Sequence, residues 1–242
     1  TPVEVTCLPG PPARAGLILP SRAAQGEPIA AQLRYEDRHG NPIVPAEGRV
    51  TLAGKSWNVV ARNAVQLQAA DEGLIRDAVR VRGAGVQRVS AQSEGLPAAE
   101  SNPVQVAADG RGLRLFWGDL HVHTELSDGV GSPGEAYAFA RQAACLDFCA
   151  VTDHDTMLDE DKWEQVRCAA AEHRDPLSFV TFLGYEHTGR RRGGDRAVYY
   201  SADDGPLIGG EVQELLAALS EVEALVVPVH PARPRAEVDW AL

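Results

Sequence analysis

The chain lacks any apolar run approaching the ~20 residues that a membrane-spanning helix needs. Its start, Thr-Pro-Val-Glu-Val, has no basic and then apolar leader, so we expect no signal peptide and favour a cytoplasmic location. The four cysteines include no C-x-x-C pair, which excludes a zinc knuckle and favours buried, reduced thiols. Nothing in the sequence therefore requires a membrane or an oxidising compartment.

An excess of basic residues is also missing. The sequence has 23 Lys and Arg against 34 Asp and Glu, for a net charge of -11. Residues 1–110 carry 11 of each sign, so the whole acidic excess lies in residues 111–242. Because an acidic surface repels phosphate backbones, nucleic acid is not an expected partner. With 6% aromatic residues and no aromatic-rich basic groove, a nuclease or proofreading role is disfavoured as well.

The sequence does contain enough apolar residues, 44% of 242, for one large domain or two ordinary ones. Residues 1–110 have short apolar runs broken by turn residues about every 8–12 positions, which predicts an antiparallel β-sandwich. Residues 111–242 instead alternate strand, loop and helix, a rhythm typical of a parallel sheet with outer helices. The predicted domains are therefore 1–110 and 111–242.

One helix start can be predicted in detail. Ser132 followed by Pro133 and then Glu135 is a capping-box arrangement, in which the two polar side chains satisfy free amides of the first turn. We expect this helix to run to about Ala144.

Acid and imidazole side chains follow the predicted strands of the second domain. His121 and His123 follow the first strand, His154 the second, Glu186 the third and His230 the last. The carboxyl ends of parallel strands share one edge of a sheet, so we expect these side chains to converge. Side chains of a strand alternate with period two, so the His-x-His pair projects to one side, where it can bind a divalent ion.

These segments resemble the successive motifs of the PHP (polymerase and histidinol phosphatase) superfamily. The likeness lies in four segments: Gly118-Asp-Leu-His121-Val-His123 with Ser127-Asp128-Gly, Val151-Thr-Asp-His154-Asp, Gly184-Tyr-Glu186, and Val227-Pro-Val-His230-Pro. Within the superfamily the chain is most similar to the branch with an N-terminal immunoglobulin-like domain. The resemblance implies an α/β fold, part of a distorted (β/α)7 barrel preceded by an all-β immunoglobulin-like sandwich.

The resemblance also implies a cluster of two or three divalent metal ions, zinc, manganese or iron. His121 and His123 would bind the first ion, Glu186 would bridge it to the second, and His230 would complete the second.

A third ion would be held by Asp128 and His154. Asp119 and Asp153 precede ligands, and we expect them to orient imidazoles, as carboxylates near metal sites often do.

Two departures from the family pattern stand out. Where the resembling branch has a histidine, this chain has Asp195, which we predict to be a metal ligand because aspartate supplies hard oxygen donors. The family's final Asp-x-His motif has no counterpart before Leu242. We therefore expect a barrel that is incomplete at its C-terminus and is completed by a C-terminal remainder or a second chain.

The predicted activity is hydrolysis of a small phosphorylated substrate by water that the metal cluster activates. Glu186, Asp128 and Arg196 are the predicted catalytic residues, with Arg196, and less directly Arg233, holding phosphoryl oxygens. Arg190–Arg192 would form either a basic lid or a solvated loop. Two alternatives stay open: a metal-dependent amide or lactone hydrolase, and a noncatalytic binding or scaffolding protein with a decayed metal site.

Overall fold

The computed structural model describes residues 8–54, 56, 58–109, 112–176, 178–189 and 193–231. Cys7, the arginine run at 190–192 and Arg233 lie outside these residues. The chain divides into two compact units, Thr1–Phe116 with Gln142–Cys145, and Trp117–Arg141 with Leu146–Leu242. None of the described helices is long and apolar enough to cross a membrane.

Up to Phe116, the described residues of the first unit form short strands and one 3-10 turn, Ala69–Asp71. The strands are β1 Arg14–Ile18, β2 Arg22–Ala24, β3 Pro28–Glu36, β4 Pro42–Ile43, β5 Gly48–Gly54, β6 Val59–Ala61, β7 Val65–Leu67, β8 Leu74–Val81, β9 Gly85–Gln87, β10 Val89–Ser93, β11 Ala99–Glu100 and β12 Val104–Ala107.

These strands form three sheets around one apolar core. A five-stranded sheet has the order β1-β3-β8-β6 with β4 beside β3, a four-stranded sheet has the order β11-β10-β5-β7, and a small sheet has the order β2-β12-β9. Along β3 every second side chain is buried, including Leu33 and Tyr35, as period-two alternation requires. The pairing of β2 with β12 is parallel, and an immunoglobulin-like topology is not confirmed.

The second unit mixes strands with helices. Its strands are β13 Gly118–Val122, β14 Phe148–Val151, β15 Val180–His187, β16 Arg196–Tyr200 and β17 Ala224–Pro228. Its described helices are α1 Pro133–Ala138, α2 Glu160–His173 and α3 Val212–Ala218, with a π-helical turn at Phe139–Ala143 and 3-10 turns at Asp155–Met157 and Leu219–Glu221.

Helix α1 begins as the sequence predicts. The amide of Glu135 donates to Ser132 Oγ at 3.3 Å, and the amide of Ser132 donates to Glu135 Oε2 at 2.7 Å. Pro133 occupies the first helical position, where it needs no hydrogen-bond acceptor. The regular helix ends at Ala138, earlier than expected, and continues as the π-helical turn.

The five strands make one open sheet in the order β13-β14-β15-β16-β17. β13, β14 and β15 are parallel, whereas β16 is antiparallel to both of its neighbours. Buried side chains of the three helices, including Tyr137, Val166 and Leu215, pack with Val151 and Leu183 of the sheet in one core cluster.

The predicted α/β class, part of a (β/α)7 barrel, is therefore wrong. The fold is β-rich, with 39% strand and 19% helix, and the described strands close no barrel. The prediction failed at β16. β13 connects to β14 through α1, and β14 to β15 through α2, which returns the chain in the same direction. No described helix separates β15 from β16, and the chain there reverses into an antiparallel pair.

Candidate metal centre

Five of the predicted ligands lie at one edge of the sheet of the second unit: His121, His123, His154, Glu186 and His230. His121 is in β13, Glu186 is in β15, and His154 pairs with Glu186 in an isolated parallel bridge past the end of β14. Because β16 reverses direction and β17 reverses it again, β17 points the same way as β15. His230, which follows β17, therefore returns to the same edge, where its ring centroid lies 5.4 Å from that of His121.

Glu186 is the centre of the cluster. Its side chain is 1% exposed. Its Oε2 lies 2.8 Å from His123 Nε2 and 3.4 Å from His121 Nε2. His154 Nδ1 lies 3.8 Å from the same oxygen. Three imidazoles from two strand ends thus surround one buried carboxylate.

The side chains form two groups that share this carboxylate. One group is His121, Glu186 and His230, and the other is His123, His154 and Glu186. In each group the donor atoms lie within 4.8 Å of one another, which is close enough to bind one ion. The resemblance implies a different grouping, with both histidines of the His-x-His pair on one ion.

The polar atoms at the centre of this cluster have no hydrogen-bond partners among the described residues. Both Oε1 and Oε2 of Glu186 and Nε2 of His123 are buried without a hydrogen bond, although Oε2 and Nε2 lie 2.8 Å apart as an ion pair. A buried carboxylate needs a cation or hydrogen-bond donors beside it, a need that a bound metal ion would meet. Imidazole and carboxylate are the donors that zinc and related divalent ions take, so the residues fit such an ion.

Strand alternation sets which side chains reach the centre. Val122 packs against the apolar core, so His121 and His123 on either side of it project to the opposite face. The pairing of β13 with β14 shifts register between Asp119 and Val122, and Asp119 Oδ1 accepts the amide of His121 at 3.0 Å. Asp119 therefore holds the backbone that carries the His-x-His pair, and no hydrogen bond from its side chain to an imidazole is found among the described residues.

Two threonines contact the imidazoles, and the sequence reasoning did not assign them a role. Thr152 Oγ1 lies 3.2 Å from His121 Nδ1, and Thr188 Oγ1 lies 3.0 Å from His154 Nδ1. A hydroxyl on one ring nitrogen fixes the orientation of the ring and the tautomer that it takes. Thr152 lies two residues before His154 and Thr188 two residues after Glu186, so period-two alternation is the signal that could have found them.

Asp128 lies at the rim of the cluster, with its side chain 61% exposed. Its Oδ1 is 2.6 Å from His123 Nδ1, and its Oδ2 is 3.8 Å from His154 Nε2. The hydrogen bond with His123 lowers the pKa of Asp128 below its usual value. The carboxylate is therefore charged at neutral pH.

The imidazoles differ in their protonation. The adjoining carboxylate of Glu186, and after it that of Asp128, raise the pKa of His123 to about 9. Burial lowers the pKa of His121. Burial alone would raise the pKa of Glu186, but the neighbouring His123, His154 and His121 outweigh it, and the pKa is lowered. Without a bound ion, His123 thus carries a proton at neutral pH that a metal would have to displace.

Asp195 and Arg196 are not members of either group. Asp195 is buried, and its Oδ1 accepts the amide of Gly189 at 3.1 Å. Arg196 is also buried, and its Nη1 donates to the carbonyls of Gly193 and Gly194. Metal binding by Asp195 and a catalytic role for Arg196 stay predictions from the sequence.

The register of β16 separates Arg196 from the cluster. Arg196 pairs with His187, and Ala197 pairs with Glu186. Because cross-strand partners share a face, Arg196 and His187 lie on the face opposite Glu186. His187 is fully buried there, with its Nδ1 2.9 Å from Asp155 Oδ2.

No protein-family model and no curated protein matches the chain. Several solved structures do. A two-domain protein from Bacteroides vulgatus ATCC 8482, described as containing a predicted PHP-like metal-dependent phosphoesterase, is similar over 52% of this chain and 38% of its own, with 19% identity and a TM-score of 0.40.

Two other solved structures are similar over smaller parts of the chain. A β-glucuronidase from Parabacteroides merdae matches 42% of this chain and 13% of its own at 18% identity, with a TM-score of 0.31. The sulfur carrier protein SoxY from Chlorobium limicola f thiosulfatophilum matches 38% of this chain and 78% of its own at 14% identity, with a TM-score of 0.24. At TM-scores of 0.40 and below these likenesses say nothing about chemistry, so the function is inferred from the residues of the site.

Proposed function

We propose that the protein is a metal-dependent hydrolase of the PHP type that cleaves phosphate esters at a centre of two or three divalent ions. The observation that carries the proposal is the carboxylate of Glu186, which is buried, lacks hydrogen bonds and is shared by two imidazole-containing groups. A shared carboxylate is the usual bridge between two ions of one centre.

Each group would hold one ion. His121 and His230 would bind the first, His123 and His154 would bind the second, and the carboxylate of Glu186 would serve both. The donor set of imidazole and carboxylate suits zinc, manganese or iron.

A third ion would be held between the side chains at the rim. Asp128 Oδ2 and His154 Nε2 lie 3.8 Å apart, so the two can serve one ion there. Because Thr188 contacts the other ring nitrogen of His154, this imidazole would bind either the second ion or the third. The same proposal includes Asp195 as a ligand of one of these ions, since its carboxylate is a hard oxygen donor.

The protein's own residues would orient the metal-binding imidazoles and supply the negative charge of the carboxylate that the ions share. Divalent ions bound there would supply Lewis acidity toward phosphoryl oxygens and acidify a water, so no nucleophilic side chain is required. Thr152 and Thr188 hold two of the imidazoles in orientation, and Glu186 keeps its charge because its pKa is lowered. Arg196 has no part in this proposal, because its guanidinium is bound to glycine carbonyls on the other face.

We expect the substrate to be a small phosphorylated molecule. The acidic excess of residues 111–242 disfavours a polyanionic nucleic acid, whereas a single phosphate can bind at a local cationic centre.

The test is metal content and phosphatase activity of the full chain. Protein loaded with Mn²⁺ or Zn²⁺ should hold two or more equivalents by elemental analysis and hydrolyse p-nitrophenyl phosphate. Glu186→Gln should lower both the metal content and the activity, the latter about 100-fold, because it removes the shared charge. Glu172→Gln, an exposed carboxylate of α2, is the matched control and should change neither.

Other outcomes separate the alternatives. Stoichiometric metal with hydrolysis of an amide or lactone, and none of phosphate esters, would favour the amide or lactone hydrolase. Protein that binds no stoichiometric metal under any loading condition would overturn the proposal and favour a scaffold.

A further inference from the structure

Asp153 lies between two residues of the centre but has no contact with any imidazole among the described residues. It is fully buried, and the donors to its carboxylate among the described residues come from one loop. The amide of Thr124 donates to Oδ1 at 2.7 Å and the hydroxyl of Thr124 to Oδ2 at 2.7 Å. The hydroxyl of Ser127 also donates to Oδ1. The donors are thus a backbone amide and two hydroxyls.

The loop that Asp153 binds is the one that carries two of the predicted ligands. Thr124 follows His123 directly, and Ser127 precedes Asp128 directly. The carbonyl of Thr124 in turn accepts the amides of Ser127 at 3.1 Å and Gly129 at 2.9 Å, so the loop closes on Thr124. The position of Thr124 therefore sets the positions of both ligands.

The backbone of Asp153 reaches the remaining part of the second group. Its carbonyl oxygen accepts the amide of Glu186 at 3.0 Å, and the next residue is His154. One residue thus connects the loop of His123 and Asp128 to the strand ends of His154 and Glu186.

We infer that Asp153 is a positioning residue of the metal centre, whose buried carboxylate holds the loop from His123 to Asp128 at the distance from His154 and Glu186 that one ion requires. A carboxylate in a dry site must keep its donors, because losing them leaves a buried charge without compensation. Its bonds to amides and hydroxyls are charge-assisted and hence stronger than neutral ones. This inference rests on the proposed metal-binding function and specifies which group depends on Asp153.

The dependence is selective. His123 and His154 belong to the group that Asp153 connects, whereas His121 lies on β13 and His230 after β17, and among the described residues neither makes a hydrogen bond to residues 124–128. Asp153→Asn keeps the size of the side chain but removes the charge and one acceptor. It should weaken the group of His123 and His154 and spare the other group.

The experiment measures Zn²⁺ affinity in two backgrounds by competition with a chelator. In His230→Ala the group of His123 and His154 is left intact, and adding Asp153→Asn should lower its affinity about 10- to 100-fold. In His154→Ala the group of His121 and His230 is left intact, and the same change should alter its affinity less than about threefold.

A second measurement needs no metal. Hydrogen exchange of the metal-free full chain should be at least about tenfold faster in residues 123–129 of Asp153→Asn, with little change in β15. Thr181→Val is the matched control, since Thr181 is a fully buried hydroxyl of the same sheet that donates to Ala170 O at 2.6 Å, away from the site. It should leave both the exchange of residues 123–129 and the Zn²⁺ affinities unchanged.

The outcomes distinguish this inference from the proposed function. Equal loss of affinity in both backgrounds, or unchanged exchange in residues 123–129, would overturn the positioning role while leaving the metal centre in place. Absence of Zn²⁺ binding by the wild type would overturn the proposed function and, with it, the role of Asp153 toward an ion. Selective loss together with faster exchange supports the inference.

Discussion

His154 and Glu186 face each other across an isolated parallel bridge beyond the last pair of β14 and β15. The carbonyl oxygen of Asp153 accepts a hydrogen bond from the amide of Glu186, and this bond holds the two backbone segments side by side. The bridge brings His154 Nδ1 to 3.8 Å from Glu186 Oε2, and Thr188 Oγ1 contacts the same ring nitrogen. A substitution at Thr188 can therefore change the orientation of the His154 ring while every proposed metal ligand stays in the sequence.

Replacing Thr188 by Val should reduce Zn²⁺ affinity about 10-fold, because His154 loses the hydroxyl that orients its ring. Thr188→Ser keeps the hydroxyl and should restore the wild-type affinity. Chelator competition on the two variants and the wild type measures the effect. Equal affinities in all three proteins would show that the hydroxyl does not orient the ring.

Metal binding should depend on pH through His123. The metal-free pKa of His123 is raised to about 9, so a metal must displace a proton below that pH. We expect Zn²⁺ affinity to rise by about tenfold per pH unit between pH 7 and pH 9 from this proton alone, and to level off above it. Isothermal titration in buffers of different ionisation enthalpy counts the released protons.

The control for the pH prediction is His123→Gln, which has no titrating ring. This variant should bind Zn²⁺ more weakly, and at pH 7.5 its binding should release about one proton fewer than that of the wild type. An unchanged proton count in His123→Gln would contradict the assignment of the proton to His123.

Gly129 is required by the close packing of the loop. A Cβ at this position would lie 2.1 Å from the carbonyl oxygen of His123, which is backbone and cannot swing away. Gly129→Ala should therefore lower the free energy of unfolding by about 2 kcal/mol or more and displace His123. Thermal melts and Zn²⁺ titration measure the two effects.

Gly134 in α1 gives the matched control. A Cβ there would lie 3.4 Å from a carbon of His173, an ordinary contact. Gly134→Ala should change the free energy of unfolding by about 1 kcal/mol or less, in the stabilising direction, because alanine favours a helix. Equal destabilisation by both alanines would refute the packing explanation for Gly129.

In the first unit, Asp37 should make stability sensitive to acid. Its carboxylate accepts the amides of Gly10, His39 and Asn41 and the side chain of Asn41. These bonds, first of all that from Gly10, hold the pKa of Asp37 below the ordinary 3.8. A lowered pKa stabilises the fold above the unfolded pKa, and that stability is lost as pH falls through the folded one.

We therefore expect Asp37→Ala to melt several degrees lower than the wild type at pH 6, with a difference that shrinks as the pH falls toward about 3 and below. Glu47→Gln, at an exposed position, should follow the wild type at every pH. Melting curves recorded by circular dichroism at a series of pH values measure this. A gap between Asp37→Ala and the wild type that is constant with pH would contradict the role of the carboxylate charge.

The sequence was most informative where the physics is local. The capping box of Ser132 and Glu135 depends only on neighbours in the chain, and it is present. The gathering of His121, His154 and Glu186 follows from parallel strands sharing an edge, and the three do lie together.

The features that could not be predicted from the sequence depend on the direction of strands and on contacts between residues far apart in the chain. The direction of β16 depends on the connection before it, and the expected barrel contains no reversal at this point. The contact of Thr188 with His154 joins residues 34 positions apart, so alternation after Glu186 can place Thr188 on the face of the site but cannot identify His154 as its partner. The grouping of the histidines depends on the same long-range geometry.

The direction of strand β16 also determines which residues can be substituted without moving His230. His230 comes to the rim because an even number of reversals restores the direction of the chain, and its height is set by the register of Pro228 with Arg196. Helix α3 lies between β16 and β17, and its buried Leu215 packs in the core cluster of the unit. Residues of α3 that face solvent can therefore be exchanged while His230 keeps its place beside His121.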